Sequence, residues 1–316
     1  KKCIEVWMVT TSAPGKLILM GEHAVVFGQP AIALAISLRL RCRVLRSGRF
    51  SVNGDELSER YHPYITSAVR KVWGPEPVAI DIASELPSSS GLGSSAAVTV
   101  SVLAALSKMK DQFSERYVAS SGFEVESDVQ GRASPIDTST CTHGHGVFID
   151  ESPGENLLWE IKKDTRRWFV HHCEVPEMEV VVGYSGIVAH TGPLVAKVKR
   201  LADRSRFGKE IIEEIGSLTL DGLSKLKAGD KVALGELMTK NQRLLAILGV
   251  SCPELDRLIK VSLPYSYGAK LTGAGGGGSM IALTDRSKEV CEAIKRRGGT
   301  PIVVRTGAKG VTVDPK

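Results

Sequence analysis

The sequence predicts an α+β fold in two domains, and two observations support this prediction. The chain has 316 residues, more than a single hydrophobic core usually organises, so two cores with a cleft between them are expected. Strand-like and helix-like segments are mixed in both halves, as in α+β proteins. A polar segment at residues 151–167 separates the halves. We therefore expect an N-terminal domain over residues 1–174 and a C-terminal domain over residues 175–316.

Composition and charge indicate a globular protein that binds small anionic ligands. Apolar residues make up 42% of the chain and charged residues 24%, which excludes a disordered or fibrous protein. The net charge of +6 is spread along the chain without interleaved aromatic residues, so nucleic acid is not an expected partner. The six cysteines lack metal-ligand spacing and are expected to be reduced, as in a cytoplasmic protein. Membrane insertion is not expected, because no long apolar run or signal-peptide pattern is present.

Periodic patterns of apolar residues place the elements of both halves. In the first half, strands are expected at residues 7–11, 16–20, 38–45 and 78–82, and helices at 61–73, from 98 onward and at 113–130. In the second half, a buried strand at 179–184 precedes helices at 193–203, 208–225, 230–248 and 253–262. The chain then continues with a strand, glycine turn and strand over 269–283, a helix at 287–297, and strands at 301–305 and 311–313.

A loop of small residues at 87–97 is the strongest candidate for a phosphate-binding site. It opens directly into an apolar helical run, and a helix N-terminus attracts anions. Gly91 and Gly93 permit backbone conformations in which consecutive N–H groups converge on one anion. Ser94 and Ser95 add hydroxyl donors or a ligand for Mg²⁺. The alternative is a plain turn before a core helix, and the absence of GxxxxGK[ST] excludes an ordinary P-loop.

A second candidate segment, residues 13–28, carries Lys16 immediately after Pro-Gly and before an apolar run. A lysine beside a phosphate loop stabilises the charge that develops during phosphoryl transfer, and it favours the alkoxide of an attacking hydroxyl. Glu22 and His23 follow closely and are candidates for hydrogen bonds to a polar substrate. The alternatives are a solvated lysine, a turn-capping glutamate and a surface histidine.

The third segment, residues 126–137, supplies two acidic side chains. A phosphotransferase needs one carboxylate to hold Mg²⁺ and another to orient or deprotonate the acceptor hydroxyl. Glu126 on a helix and Asp137 after Ser-Pro are the candidates, with Asp128 as a rival to Glu126. The alternatives are a solvated helix face, or a helix N-cap in the case of Asp137.

Two further patterns carry weaker signals. Residues 273–278 satisfy GxGxxG, but a strand-like run and not a helix follows them, which disfavours a dinucleotide site. These glycines instead allow close approach of a ligand or a neighbouring loop. Two histidine pairs, His143 with His145 and His171 with His172, lack a third ligand and make a weak case for a metal.

Taken in order, Pro-Gly-Lys, Pro-Ser-Ser-Ser-Gly-Leu-Gly-Ser-Ser-Ala-Ala and Lys-Leu-Thr-Gly-Ala-Gly-Gly-Gly-Gly resemble the three motifs of the GHMP kinases. The resemblance spans nearly the whole chain. It implies an N-terminal domain similar to ribosomal protein S5 domain 2, a ferredoxin-like C-terminal domain, and an active site between them. Because members of the family are commonly dimers, it also implies a homodimer.

The resemblance further implies roles for individual residues. Lys16 and Asp137 would form the catalytic pair, and Ser95 and Glu126 would hold Mg²⁺. Glu22, His23 and Thr191 would lie near the substrate. The residues implied to wrap the phosphates of ATP are Pro87, Ser88, Ser89, Ser90, Gly91, Leu92, Gly93, Ser94, Ser95 and Ala96. The loop implied to support them from the other domain comprises Gly273, Ala274, Gly275 and Gly276.

Segment 15–28 is most similar to family members that phosphorylate mevalonate. Segment 185–198 resembles the archaeal type of these members. The implied activity is therefore transfer of the γ-phosphoryl group of ATP to the primary hydroxyl of mevalonate, in isoprenoid synthesis. A homoserine kinase, a phosphomevalonate kinase and a non-catalytic nucleotide-binding regulator are the alternatives. A phosphomevalonate enzyme would need extra cations, and the sequence shows no further Lys or Arg cluster beside Glu22 or Thr191. A diphosphomevalonate decarboxylase is disfavoured because it works without the lysine at position 16.

Overall fold

The computed structural model describes residues 8–88, 90–131, 133–189 and 191–314, and the side chain of Thr191 is not described. Within these ranges, a nine-stranded sheet forms the first half around two long antiparallel strands, β1 (Met8–Met20) and β2 (Ala31–Arg46). The other strands of the first half are β3 (Ser51–Val52), β4 (Asp55–Glu56), β5 (Val78–Ser84), β6 (Gly146–Asp150), β7 (Leu157–Lys163) and β8 (Arg166–Cys173).

Four helices accompany this sheet: α1 (Pro63–Val72), α2 (Ser94–Met109), α3 (Glu115–Gln130) and α4 (Ile136–His143). Helix α2 consists mostly of small and aliphatic residues and packs on β1 and β2 in the largest hydrophobic core. A helix buried on most of its sides needs such a sequence, and its buried polar residues, Thr99, Ser101 and Ser107, carry only small hydroxyl groups. The buried helix fixes the position of the loop that precedes it.

The second half has a four-stranded sheet in the order β10-β11-β9-β12. Its strands are β9 (Glu179–Tyr184), β10 (Gly268–Thr272), β11 (Ser279–Leu283) and β12 (Thr300–Arg305), and its helices are α5 (Thr191–Arg204), α6 (Arg206–Lys227), α7 (Lys231–Ile247), α8 (Pro253–Ser262) and α9 (Ser287–Lys295). The last strand, β13 (Thr312–Val313), pairs with β1 in the first sheet. The chain end therefore returns to the first half, while the boundary at residues 174 and 175 stays a prediction.

The α+β prediction is confirmed, and the local differences include the following two. Residues 7–11 and 16–20 were expected as separate strands, but β1 is one strand with register irregularities between Pro14 and Lys16 and between Ile18 and Met20. The polar segment 151–167 contains β7 and the start of β8, because the buried side chains of Trp159 and Ile161 alternate with charged ones.

Among the helices in the described ranges, none is long and apolar enough to cross a membrane.

Candidate active site

The phosphate-loop candidate lies at the N-terminus of α2, as predicted. Gly91 and Gly93 have φ angles of 80° and 78°, a left-handed conformation that side chains with a Cβ rarely adopt. A Cβ on Gly93 would lie 2.8 Å from Cγ of Lys16, so only glycine lets the loop pack against this lysine. The backbone N–H of Lys16 donates to the carbonyl of Leu92 over 2.9 Å. The loop and the lysine therefore form one unit.

The Lys16 ammonium forms an ion pair with Asp137, with 2.9 Å between Nζ and Oδ2. Lys16 is buried, whereas the Asp137 side chain is 28% exposed. Asp137 is the second residue of α4, where the helix N-terminus favours a negative charge. The N-cap is Pro135, so the alternative of Asp137 as N-cap is wrong. Its Oδ1 is buried and has no hydrogen-bond partner among the described residues, which leaves an acceptor for a ligand.

Glu126 on α3 is the second carboxylate of the site. Its side chain is 2% exposed, and burial raises its pKa well above the usual value. The negative charge of Asp137 raises this pKa further, and Lys16 opposes the increase. The rival Asp128 is 58% exposed and faces Lys71 on the surface. The structure therefore brings Glu126, and not Asp128, together with Lys16 and Asp137.

Tyr64, on the first turn of α1, is a neighbour of this cluster that no sequence pattern indicated as a site residue. Its hydroxyl oxygen accepts a hydrogen bond from Nε2 of Gln130 over 3.0 Å. Burial raises the pKa of Tyr64, and the charges of Glu126 and Asp137 add to the increase, while hydrogen bonds from Gln130 and Ser95 lower it. Ser95 is half-buried in the first turn of α2, and like Glu126 and Asp137 it is close enough to affect the pKa of Tyr64.

The two ends of the glycine-rich loop at residues 273–278 lie against the phosphate loop. A Cβ on Gly91 would lie 3.2 Å from the carbonyl oxygen of Thr272, and one on Gly278 would lie 3.5 Å from that of Ser90. Ser90 is itself buried and donates from Oγ to the Pro87 carbonyl over 2.8 Å. The strand–turn–strand prediction around this loop is confirmed by β10 and β11.

His23 and Glu22 connect the first half to the second. Nε2 of His23 lies 2.8 Å from the carbonyl oxygen of Ala274 in the glycine-rich loop, and burial lowers the pKa of His23. Glu22 is fully buried and forms an ion pair with Lys270 of β10, which is also fully buried. Its Oε2 accepts a hydrogen bond from Nδ2 of Asn241 over 3.2 Å. The Glu22 carboxylate is thus occupied within the protein, and its contact with a substrate stays a prediction.

Lys270 is a single cation that a distant segment of the chain brings beside Glu22. Desolvation lowers the pKa of Lys270, and the charge of Glu22 opposes this decrease. The two charges compensate each other, so this lysine does not supply a free cation to a ligand.

We expect Lys270→Met to destabilise the protein by about 3–5 kcal/mol, because it leaves the Glu22 charge buried without its partner. Urea unfolding measures this change. Lys199→Met is the matched control, since Lys199 pairs with Asp203 on the exposed face of α5, and surface pairs contribute less than about 1 kcal/mol. Equal losses in the two variants would contradict a buried ion pair at Lys270.

For the remaining predicted site residues, the structure gives only burial or single contacts. Pro87 is half-buried and Ser88 is exposed, whereas Ser89 and the Thr191 side chain lie outside the described residues. His143 and His172 lie side by side, with 2.9 Å between Nε2 and Nδ1. Within the described ranges, no group of three or more His, Cys, Asp or Glu residues is arranged to hold a metal ion.

Comparisons with known proteins identify the family whose motifs the three candidate segments resemble. The model of the GHMP kinases N terminal domain matches residues 62–145, and the GHMP kinases C terminal model matches residues 223–300. A mevalonate kinase of Pyrococcus abyssi is 34% identical over 97% of this chain and 98% of its own. The chain belongs to the GHMP kinases.

Further relatives agree with this membership of the GHMP kinases. A mevalonate kinase of Archaeoglobus fulgidus is 38% identical over 86% of this chain and 91% of its own. The crystal structure of the Methanococcus jannaschii mevalonate kinase has a TM-score of 0.74 at 28% identity, covering 94% of this chain and 98% of that one. The resemblance predicted from the three motifs is confirmed, and the GHMP kinase fold extends over both halves of the chain.

Proposed function

We propose that the chain transfers the γ-phosphoryl group of ATP to the primary hydroxyl of mevalonate. The observation that carries this proposal is the ion pair between Lys16 and Asp137, which lies directly against the phosphate loop. Phosphoryl transfer needs a positioned acceptor, a cation at the transferring group and donors around the phosphates. The near full-length relatives named mevalonate kinase support the choice of acceptor.

ATP would bind with its phosphates at the N-terminus of α2. The backbone N–H groups that open a helix have no partner within the helix, and the helix dipole adds positive potential there. Lys16 lies beside this loop, with 3.4 Å between Nζ and the Gly91 carbonyl oxygen. Its ammonium is therefore placed to stabilise the charge that develops on the transferring group.

The residues present fit a magnesium ion held by Glu126 and Ser95. Glu126 is 2% exposed, and burial, with the nearby charge of Asp137, raises its pKa, so a bound cation would stabilise its charged form. Carboxylate and hydroxyl oxygens are the ligands that Mg²⁺ prefers. When bound, Mg²⁺ would neutralise charge on the phosphate oxygens of ATP.

Asp137 would accept the proton of the mevalonate hydroxyl. Its Oδ2 is held by Lys16, while Oδ1 is buried without a partner among the described residues and is available as the acceptor. The positive charge of Lys16 also favours the alkoxide that forms as the proton leaves. The pair would thereby position the nucleophile and activate it, using one side chain from β1 and one from α4.

Mevalonate would lie near His23 and Thr191, with Glu22 behind them. The Nδ1 atom of His23 is buried and has no partner among the described residues, so it offers one acceptor for a substrate hydroxyl.

The homodimer and the cytoplasmic location stay predictions. Light scattering on the purified protein tests the homodimer.

The experiment that tests this function measures ADP release with Mg-ATP and five acceptors: mevalonate, phosphomevalonate, diphosphomevalonate, homoserine and galactose. We expect turnover with mevalonate and a product that is heavier by one phosphate. Lys16→Met, purified in parallel, should lose this turnover, which excludes a contaminating kinase. Turnover with a different acceptor alone would overturn the substrate assignment, and no turnover with any of the five would overturn the kinase assignment.

A further inference from the structure

The strand segment that carries Lys16 is bounded on both sides by irregularities in its pairing with β2. The register of β1 against β2 is irregular between Pro14 and Lys16 and again between Ile18 and Met20. Between these irregularities, only residues 16–18 pair in regular order with β2. On the other edge of β1, β13 pairs only with Thr11 and Ser12. The position of Lys16 therefore depends on additional contacts.

Thr272, the last residue of β10, supplies such a contact from the second half. Its Oγ1 accepts a hydrogen bond from the backbone N–H of Ile18 over 3.0 Å and donates one to the backbone carbonyl of Ile18 over 3.1 Å. Thr272 is 2% exposed, so both backbone groups of Ile18 are satisfied in a buried place where water is excluded. One hydroxyl thus makes the two backbone hydrogen bonds that a neighbouring strand would otherwise make.

The same residue borders the loop that supports the phosphate site. The carbonyl oxygen of Thr272 lies against Gly91, and the next residue, Gly273, packs on the same glycine. Ile18 is two residues beyond Lys16 on β1. Thr272 therefore connects the strand that carries the lysine to the loop that holds the phosphates.

We propose that Thr272 is a positioning residue, whose two hydrogen bonds to Ile18 set the place of the Lys16 ammonium relative to the phosphate loop. The proposal rests on the function proposed above. It predicts that loss of the hydroxyl slows phosphoryl transfer more than it weakens the binding of either substrate, because misplacement of a reacting group acts on the chemical step.

Thr272→Val tests this proposal, because valine keeps the shape of threonine and removes both hydrogen bonds. We expect kcat to fall roughly 10- to 100-fold, with KM for ATP and mevalonate changing less than about threefold. Thr272→Ser keeps the hydroxyl and should retain most of the wild-type kcat. Equal losses of kcat in the serine and valine variants would overturn the proposal.

Thr284→Val is the matched control for a purely structural effect. Thr284 is also buried, donating to the Tyr265 carbonyl over 2.6 Å and accepting from the Arg286 N–H over 2.8 Å. All of these groups lie within the second half and away from β1. We expect this variant to lose a similar amount of stability and to keep its kcat. If it lost as much kcat as Thr272→Val, the effect at Thr272 would be structural and the proposal would fail.

Amide hydrogen exchange gives a readout that does not depend on the substrate. The Ile18 amide should be protected in the wild-type protein and in Thr272→Ser, and it should exchange faster in Thr272→Val. An unprotected Ile18 amide in the wild-type protein would overturn the proposal even if the valine variant did not fold. If mevalonate were not the acceptor, the exchange result would still apply. The kcat values of the variants would then be measured with the acceptor that the protein does phosphorylate.

Discussion

Replacing Asp137 with asparagine is expected to lower kcat by about two to four orders of magnitude, the usual contribution of a positioned acid or base. Asparagine keeps the size of the side chain but cannot accept the proton of the acceptor hydroxyl. It also removes the charge that pairs with Lys16 over 2.9 Å. Because the phosphate loop is untouched, the affinity for ATP should stay within a few fold, which fluorescence titration with a nucleotide analogue measures.

Asp128→Asn is the matched control for this variant. Asp128 lies two residues after Glu126 on α3 and is exposed on the surface near Lys71, so its loss should leave kcat within about twofold, since exposed pairs contribute little. If Asp137→Asn kept kcat within tenfold of the wild-type value, Asp137 would only orient the hydroxyl. Lys16 would then be the residue that activates it.

Glu126→Gln is expected to have the second largest effect, and it should act through magnesium. Glutamine is a poorer ligand than carboxylate for Mg²⁺ because it lacks the negative charge. We expect the Mg²⁺ concentration for half-maximal turnover to rise at least about tenfold, in line with losses at metal sites. A magnesium titration of initial rates measures this shift. An unchanged magnesium dependence would remove Glu126 from the metal site.

The same variant changes how stability depends on pH in the ligand-free protein. The pKa of Glu126 is raised in the folded protein, so below the usual pKa of glutamate both states carry the proton and the carboxyl costs no stability. As the pH rises, the unfolded chain releases its proton first, and stability falls until the pH passes the folded-state pKa.

Glu126→Gln cannot release a proton, and it should lack this part of the pH dependence. Urea unfolding at pH values of about 5 and 8 tests this linkage, because the wild-type protein should lose more stability between them than the variant does. Equal losses in the two proteins would show that burial does not raise the pKa of Glu126. The experiment must exclude Mg²⁺ and nucleotide, since both stabilise the charged form.

The sequence predicted the parts of the site that are encoded by local patterns. The phosphate loop could be predicted because glycines and a helix start occur together in one segment. Lys16 could be predicted because it follows Pro-Gly in a strand-like run. Spacing alone could not choose between Glu126 and Asp128, because both lie on the same helix; only the resemblance to the GHMP kinases favoured Glu126. Their difference arises from the way α3 packs, which buries one side chain and exposes the other.

Contacts between distant segments were not predictable from one sequence. Lys270 is 248 residues from Glu22, and Thr272 is 254 residues from Ile18, so no local pattern connects them. Tyr64 was missed for the same reason, since its neighbours come from α2, α3 and α4. The motif around residues 270–278 predicted a supporting glycine loop. The two hydrogen bonds between Thr272 of this motif and Ile18, on the strand of Lys16, are seen only in the fold.

The measurement that tests the central claim most directly is phosphorus NMR of the product formed from Mg-ATP and mevalonate. The proposed site predicts a single new phosphomonoester signal, coupled to the methylene protons of the carbon that carried the primary hydroxyl, with one ADP formed for each ester. Formation of ADP with inorganic phosphate alone would contradict the claim, because it would show that the site activates water and not the mevalonate hydroxyl.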